Sequence, residues 1–292
     1  MVAVLGRSYA WRWYFGAPSR QSSTLKPMSI AEEFAAPCQP RVLALLMREL
    51  LIPVPNLRRI NQLFACDPVL AAQLMARANS PAFQMVGAVR GLPQAITLLG
   101  ERQLRAVLKT AQASVAARTG AAMDWVLFNR LSHACAQQAR SLAGWCGLDT
   151  SACYMAALLH GVGQIALHQS QPEAVAFISK AIAVWDPRRP RWEMRHWGYS
   201  ACHTSAALLR HWHLPADVVT ALQAMEAPME VAQFDPMAGV LHLAVWSIRA
   251  KHSGWNARQM ADAFPVEVAL ALGIDVDVVL QQEATDWRKS MY

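Results

Sequence analysis

The chain has 292 residues, enough for a substantial buried core, with 54% hydrophobic residues, 16% charged residues and a net charge of +7. No run of about 18 uninterrupted apolar residues occurs, which argues against a membrane-spanning helix. Six cysteines, Cys38, Cys66, Cys135, Cys146, Cys153 and Cys202, form no Cys-x-x-Cys pair and read as reduced, buried thiols of a cytoplasmic protein.

Residues 1–39 mix Arg7, Arg12 and Arg20 with Tyr9, Trp11, Trp13, Tyr14 and Phe15 and lack the apolar core of a secretory signal. They are read as a poorly ordered extension. Helical signals then follow almost without interruption. Arg41 to Leu51 is amphipathic and is broken by Pro53 and Pro55. A second helix covers about Asn56 to Ala65. Asp67-Pro68 supplies a cap and a proline at the first helical position of a third, which Asn79-Ser80-Pro81 ends. Pro93 opens a short helix through Gln94 and Leu99, with Gly100 as its C-terminal cap. Glu101 to Ala117, Trp125 to Trp145 and Ser151 to His160 follow. Further helices are expected at Glu173 to Val184, Cys202 to Trp212, Pro215 to about Glu226, Ala238 to Lys251, Asn256 to Phe264, Pro265 to Leu272 and near Asp277 to Trp287. Strand periodicity is nearly absent, so the fold class is all-α.

Two stretches carry candidate chemistry. Leu158-Leu159-His160-Gly161-Val162-Gly163 puts a histidine at a helix end, where an imidazole donates to the last carbonyls. Arg188, Arg189, Arg191 and Arg195 alternate with Trp192 and Trp197, a mixture suited to stacking on bases and neutralising phosphates. The plainer reading, a solvated basic loop entering a helix, is preferred, because no nucleic-acid module surrounds the segment. Catalytic motifs of the Gly-x-Ser-x-Gly, His-Glu-x-x-His and phosphate-loop kinds are absent.

Four blocks together resemble the HDOD domain, an output domain of bacterial signalling proteins related to the HD phosphohydrolases. They are Ile52-Pro53-Val54-Pro55 with Asp67-Pro68 through Asn79-Ser80-Pro81; Leu92 to Gly100, with its Gln94-Ala95-Ile96; Leu158 to Gly163; and Gly198 followed by Leu208 to Trp212 and Pro215. The resemblance spans about residues 40–228. It implies an N-terminal helical part at 40–120 and an HD-like part at 121–235, with 236–292 as C-terminal helices packed on the domain. Asn79 and Ser80 are read as structural, bonding nearby backbone.

In the related hydrolases several histidines and one aspartate hold a metal that acidifies a bound water. Here Gly161 stands where that aspartate is expected. The first ligand position falls on Leu131, and His133 lies about 200° further round the helix. The fourth-block histidine falls on Ala201, two residues from His203, and the terminal histidine pair corresponds to about Met225-Glu226. Only His160 stays in register, too few ligands for a catalytic metal. The resemblance therefore implies a cytoplasmic, non-enzymatic regulatory module without cofactor, acting on an unidentified signalling protein. A residual metal-dependent phosphohydrolase of nucleotides or cyclic dinucleotides, and a nucleic-acid or nucleotide binder using Arg188 to Trp197, are the competing expectations.

Overall fold

In the computed structural model the described residues are 38–83, 88–114 and 123–275, with Pro27, Ser29 and Val279. The helix expected near Asp277 to Trp287 and nearly all of residues 1–39 lie outside them. Among the described residues there is no strand, and none of their helices is long and apolar enough to cross a membrane.

The first part comprises α1 (Pro40–Leu50), α2 (Leu57–Ala65), α3 (Pro68–Ala78) and α4 (Leu92–Ser114). Asn56 and Asp67 cap α2 and α3 by accepting backbone N–H groups, Asp67 from both Val69 and Leu70. Gly100 sits at φ 64°, ψ 174°, outside helical geometry, so within α4 it separates a short first helix from the longer one that begins at Glu101, as the sequence leads one to expect. That backbone conformation is open to glycine and strained for other residues.

The second part comprises α5 (Trp125–Trp145), α6 (Thr150–Leu159), α7 (Val162–Ser170), α8 (Pro172–Ala181), α9 (Arg189–Trp197), α10 (Ala201–His211) and α11 (Ala216–Ala224). Beyond them come α12 (Pro236–His252), α13 (Ala257–Asp262) and α14 (Val266–Leu272). Helix α6 is buried on every side, from Ala152 through Leu159, which matches its uniformly apolar sequence. Helices α5, α3, α11 and α12 surround it, and α10 lies across α7. The apolar core runs unbroken from Cys38 to Val279, so α1–α4 and the helices after them share it. Cys38, Cys135, Cys153 and Cys202 are buried, and burial holds Cys135 and Cys153 up at about 12. Such thiols are poor nucleophiles.

Asn79 ties this first part together. Its Nδ2 donates to the carbonyls of Met75 (3.1 Å) and Val89 (3.0 Å), and its Oδ1 accepts the Val89 N–H at 2.9 Å. Ser80 Oγ donates to the Arg77 carbonyl at 2.8 Å.

Candidate functional site

The apolar stretch around Leu158 to Gly163 is two helices, α6 and α7, joined by a tight turn at His160 and Gly161. His160 is 1% exposed. Its Nδ1–H donates to the Ala157 carbonyl at 2.6 Å, leaving Nε2 buried and without a partner. Burial, reinforced by the charge of Arg249, depresses the imidazole to about 3. The ring is therefore neutral at physiological pH.

The surroundings of Gly161 are tightly packed. A Cβ at Gly161 would lie 3.0 Å from Phe128 Cε2 and 3.8 Å from Ser132 Oγ. Phe128 is fully buried and packs on Trp185 (centroids 5.9 Å apart) and edge-on against Trp125. Leu131, one turn along α5, is also in the core. On the opposite side Ala201 and Ser205 of α10 press against α7. Ser205 Oγ accepts the Gly163 N–H at 2.8 Å and donates to the His160 carbonyl at 2.6 Å. A Cβ at Gly163 would lie 2.2 Å from the Ala201 carbonyl oxygen, so this approach requires glycine.

Four other histidines have local partners. His133 meets the Tyr154 hydroxyl and Gln137, and His168 donates to the Gln164 carbonyl. His242 Nδ1–H donates to the Met225 carbonyl at 2.7 Å. His203 Nδ1 is 2.9 Å from Ser200 Oγ and 3.7 Å from Glu226 Oε2. Burial lowers His203 below its usual range, so at neutral pH that contact is not an ion pair. Among the described residues no cluster of three His, Cys, Asp or Glu is arranged to hold a metal ion. The residues expected at the family's ligand positions, His160 and Glu226 with Leu131, Gly161, Ala201 and Met225, offer two donor side chains and do not fit one.

Arg249 of α12 supplies a positive charge at this end of the fold, although nothing in its sequence context marks it. Its charge acts on His160, Glu226, Cys202, Cys135 and Asp186, and its guanidinium lies 5.7 Å from the Trp185 ring centroid. Its Nε is buried without a partner, as are Ser132 Oγ and Glu226 Oε2. Burial is the main reason that the Glu226 carboxyl rises to about 7, with the negative charge of Glu193 adding to it; Ser200 and Arg249 pull the other way.

This raised value has a testable consequence. Glu226 contributes stability that is fully present below the unfolded value near 4.5 and is lost as pH rises through about 7. Glu226→Gln, which mimics the protonated acid, is expected to gain about 1–3 kcal/mol on wild type between pH 5 and pH 8. Denaturant titrations of both proteins at the two pH values measure the difference. An equal gap at both would show that Glu226 is ionised throughout. His160 has the opposite slope, losing stability as pH falls below 6.5, but it cancels between the two proteins.

A cleft of about 530 Å³ opens beside the aromatic plug, lined by Asp124, Leu127, His168, Trp185, Asp186 and His252 among others. Its carboxylates are already engaged. Asp124 caps α5 by accepting the Leu127 N–H, and Asp186 holds Arg188 through bonds of 2.9 and 2.7 Å.

The basic segment needs correction. It is helical from Arg189, and Arg189 is a core residue, 1% exposed. Its Nε donates to Glu193 Oε1 at 2.8 Å and its Nη1 to the Ile182 carbonyl at 2.7 Å, while Glu193 Oε2 accepts the Ala201 N–H. The pair pins α9 to α10 and takes Arg189 out of any contact surface. Arg188 is exposed but paired with Asp186, and Trp197 is half-buried. Arg191, Trp192 and Arg195 face solvent.

The HDOD domain profile matches residues 36–228. No curated protein matches the chain. Among solved structures, the MmoQ response regulator from Methylococcus capsulatus str. Bath superposes with a TM-score of 0.64 at 21% identity, covering 85% of this chain and 98% of that one. A virulence factor from Campylobacter jejuni subsp. jejuni gives 0.57 at 15% identity, with 88% and 96% covered. These likenesses establish the fold. Because the profile spans about two thirds of the sequence, across all four motif blocks and the filled-in site, the chain belongs to the HDOD domain family.

Proposed function

We propose that the protein is a non-enzymatic regulatory module that works through contacts with a partner protein in bacterial signalling. The observation that carries this reading is the packing at Gly161, where even a Cβ would lie 3.0 Å from the ring of fully buried Phe128. The neutral, locally bonded His160 points the same way. Catalysis of phosphoester cleavage by the family's chemistry needs a metal held by several side chains and a water to activate, and among the described residues no three His, Cys, Asp or Glu gather to hold one. The response-regulator name of the Methylococcus capsulatus relative is in keeping with a signalling role.

The test is elemental analysis of protein purified without chelator, repeated after incubation with Mn²⁺, Fe²⁺ and Zn²⁺, together with turnover of cyclic dinucleotides and nucleotides. The expected outcome is sub-stoichiometric metal and no turnover. One tightly held metal per chain with phosphodiester cleavage would replace this reading with the hydrolase one.

A further inference from the structure

We propose that the groove between α8 and α9 is the docking site for an acidic, amphipathic segment of a partner protein, seated by one bulky apolar side chain. This rests on the regulatory reading above and identifies the surface and the chemistry of its occupant. The groove, about 250 Å³, is lined by Phe177, Ile178, Lys180, Ala181, Trp192 and His196. Phe177 is 65% and Trp192 39% exposed, a large apolar surface to leave in water. The aromatic wall is ordered. His196 stacks on Trp192 at 5.6 Å with ring planes 3° apart, is held by donation from its Nδ1 to the Trp192 carbonyl, and meets Phe177 edge-on at 6.3 Å.

Charge decides what kind of partner fits. Five cations and three acids occur between residues 172 and 197. Asp186 neutralises Arg188 and buried Glu193 neutralises Arg189. Lys180, Arg191 and Arg195 remain on the surface against Glu173, which lies one turn of α8 before Phe177. Arg191 and Arg195 lie a turn apart on the exposed side of α9, next in sequence to Trp192 and His196, and Lys180 lines the groove from α8. An apolar slot with cations on both sides complements an acidic segment with an apolar anchor, and buried Trp with flanking Arg is the composition of protein-interface hot spots. Nucleic acid fits less well. Two of the segment's arginines are consumed internally, and one face of Trp192 is already covered by His196, which leaves few free cations to follow a phosphate backbone.

The probe is a fluorescein-labelled helical peptide of roughly 14 residues, with Leu and Phe on one face and Asp and Glu elsewhere. A control carries Ser at the apolar positions. Anisotropy titrations of the full chain are expected to show binding to the probe and at least about tenfold weaker binding to the control. Phe177→Ser with Trp192→Ser, and separately Arg191→Glu with Arg195→Glu, should each weaken the probe about tenfold or more. Affinity should also fall as salt rises from about 50 to 300 mM. These side chains are exposed, so circular-dichroism melting of each variant is expected to stay near wild type. Equal affinity for probe and control, or binding untouched by both double variants, overturns the proposal. So does preferential binding of an oligothymidylate or of phosphatidylserine vesicles, or self-association of the chain, that the same variants abolish. Any of these would leave the metal and turnover assay, and the regulatory reading it tests, unaffected.

Discussion

Gly161→Asp, which restores the residue of the active hydrolases, is expected to destabilise the protein by about 4–8 kcal/mol and to recruit no metal. Two costs add. The new Cβ is 3.0 Å from the ring of fully buried Phe128, an overpacking worth about 1–3 kcal/mol. The carboxylate beyond it would enter a dry site next to Ser132 Oγ and the aromatic stack, and an uncompensated buried charge costs about 3–5 kcal/mol. Gly161→Ala isolates the steric part. Denaturant unfolding gives both numbers, and elemental analysis after Mn²⁺ or Fe²⁺ loading gives the metal content. A stable variant that holds one metal per chain would mean that the space beside His160 is open and that the plug does not exist.

Gly163→Ala is expected to cost about 4 kcal/mol or more, unusually high for a single added methyl. The added carbon would fall 2.2 Å from the Ala201 carbonyl oxygen and 2.4 Å from the Ser205 nitrogen. Both are backbone atoms of α10, so no rotamer change relieves the clash and the two helices must separate. Separation breaks the Gly163 N–H bond to Ser205 Oγ and the Ser205 bond to the His160 carbonyl. For a domain of this size the melting temperature should drop by about 10 °C. A drop of only a degree or two would show that α7 and α10 slide apart freely. Ala201→Gly would not rescue the variant, because the contact is with backbone.

The two glycines of the Leu158 to Gly163 motif thus do different work. Gly163 permits the helix crossing on which the turn depends. Gly161 lets the α6–α7 turn pass close to the ring of Phe128, which with Trp185 gains hydrophobic stabilisation from the space beside it.

Much of the fold was legible locally. The span Trp125 to Trp145 is the same in pattern and structure, because an Asp124 cap and a long amphipathic run are short-range signals. Asp67 before Pro68 likewise caps a helix whose apolar positions face the core. The break at Gly100 was legible too, because a glycine closing an apolar helical run supplies the positive φ that ends it. Within the site, the sequence offered only an expected register for Gly161, Leu131 and Ala201, and what packs around them was not legible. Phe128 reads as an ordinary core position of α5, and Arg249 lies about ninety residues from His160 in helices that match the family loosely.

Arg189 is the sharpest contrast. In the sequence it belongs to a basic, tryptophan-rich run, and its i,i+4 spacing from Glu193 allows an ion pair on any face of α9. Only the packing of α9 on α10 and the 182–186 turn buries that face. Burial converts a surface cation into a bonded core residue and leaves Arg191, Arg195 and Lys180 as the free charges. The sequence by itself determined the helical class and the family, because helix periodicity, capping and motif register are encoded over a few residues. Tertiary structure alone decided what packs around His160 and Gly161 and which arginines reach solvent. Those outcomes depend on which side chains from distant helices meet, and on how much water their meeting excludes.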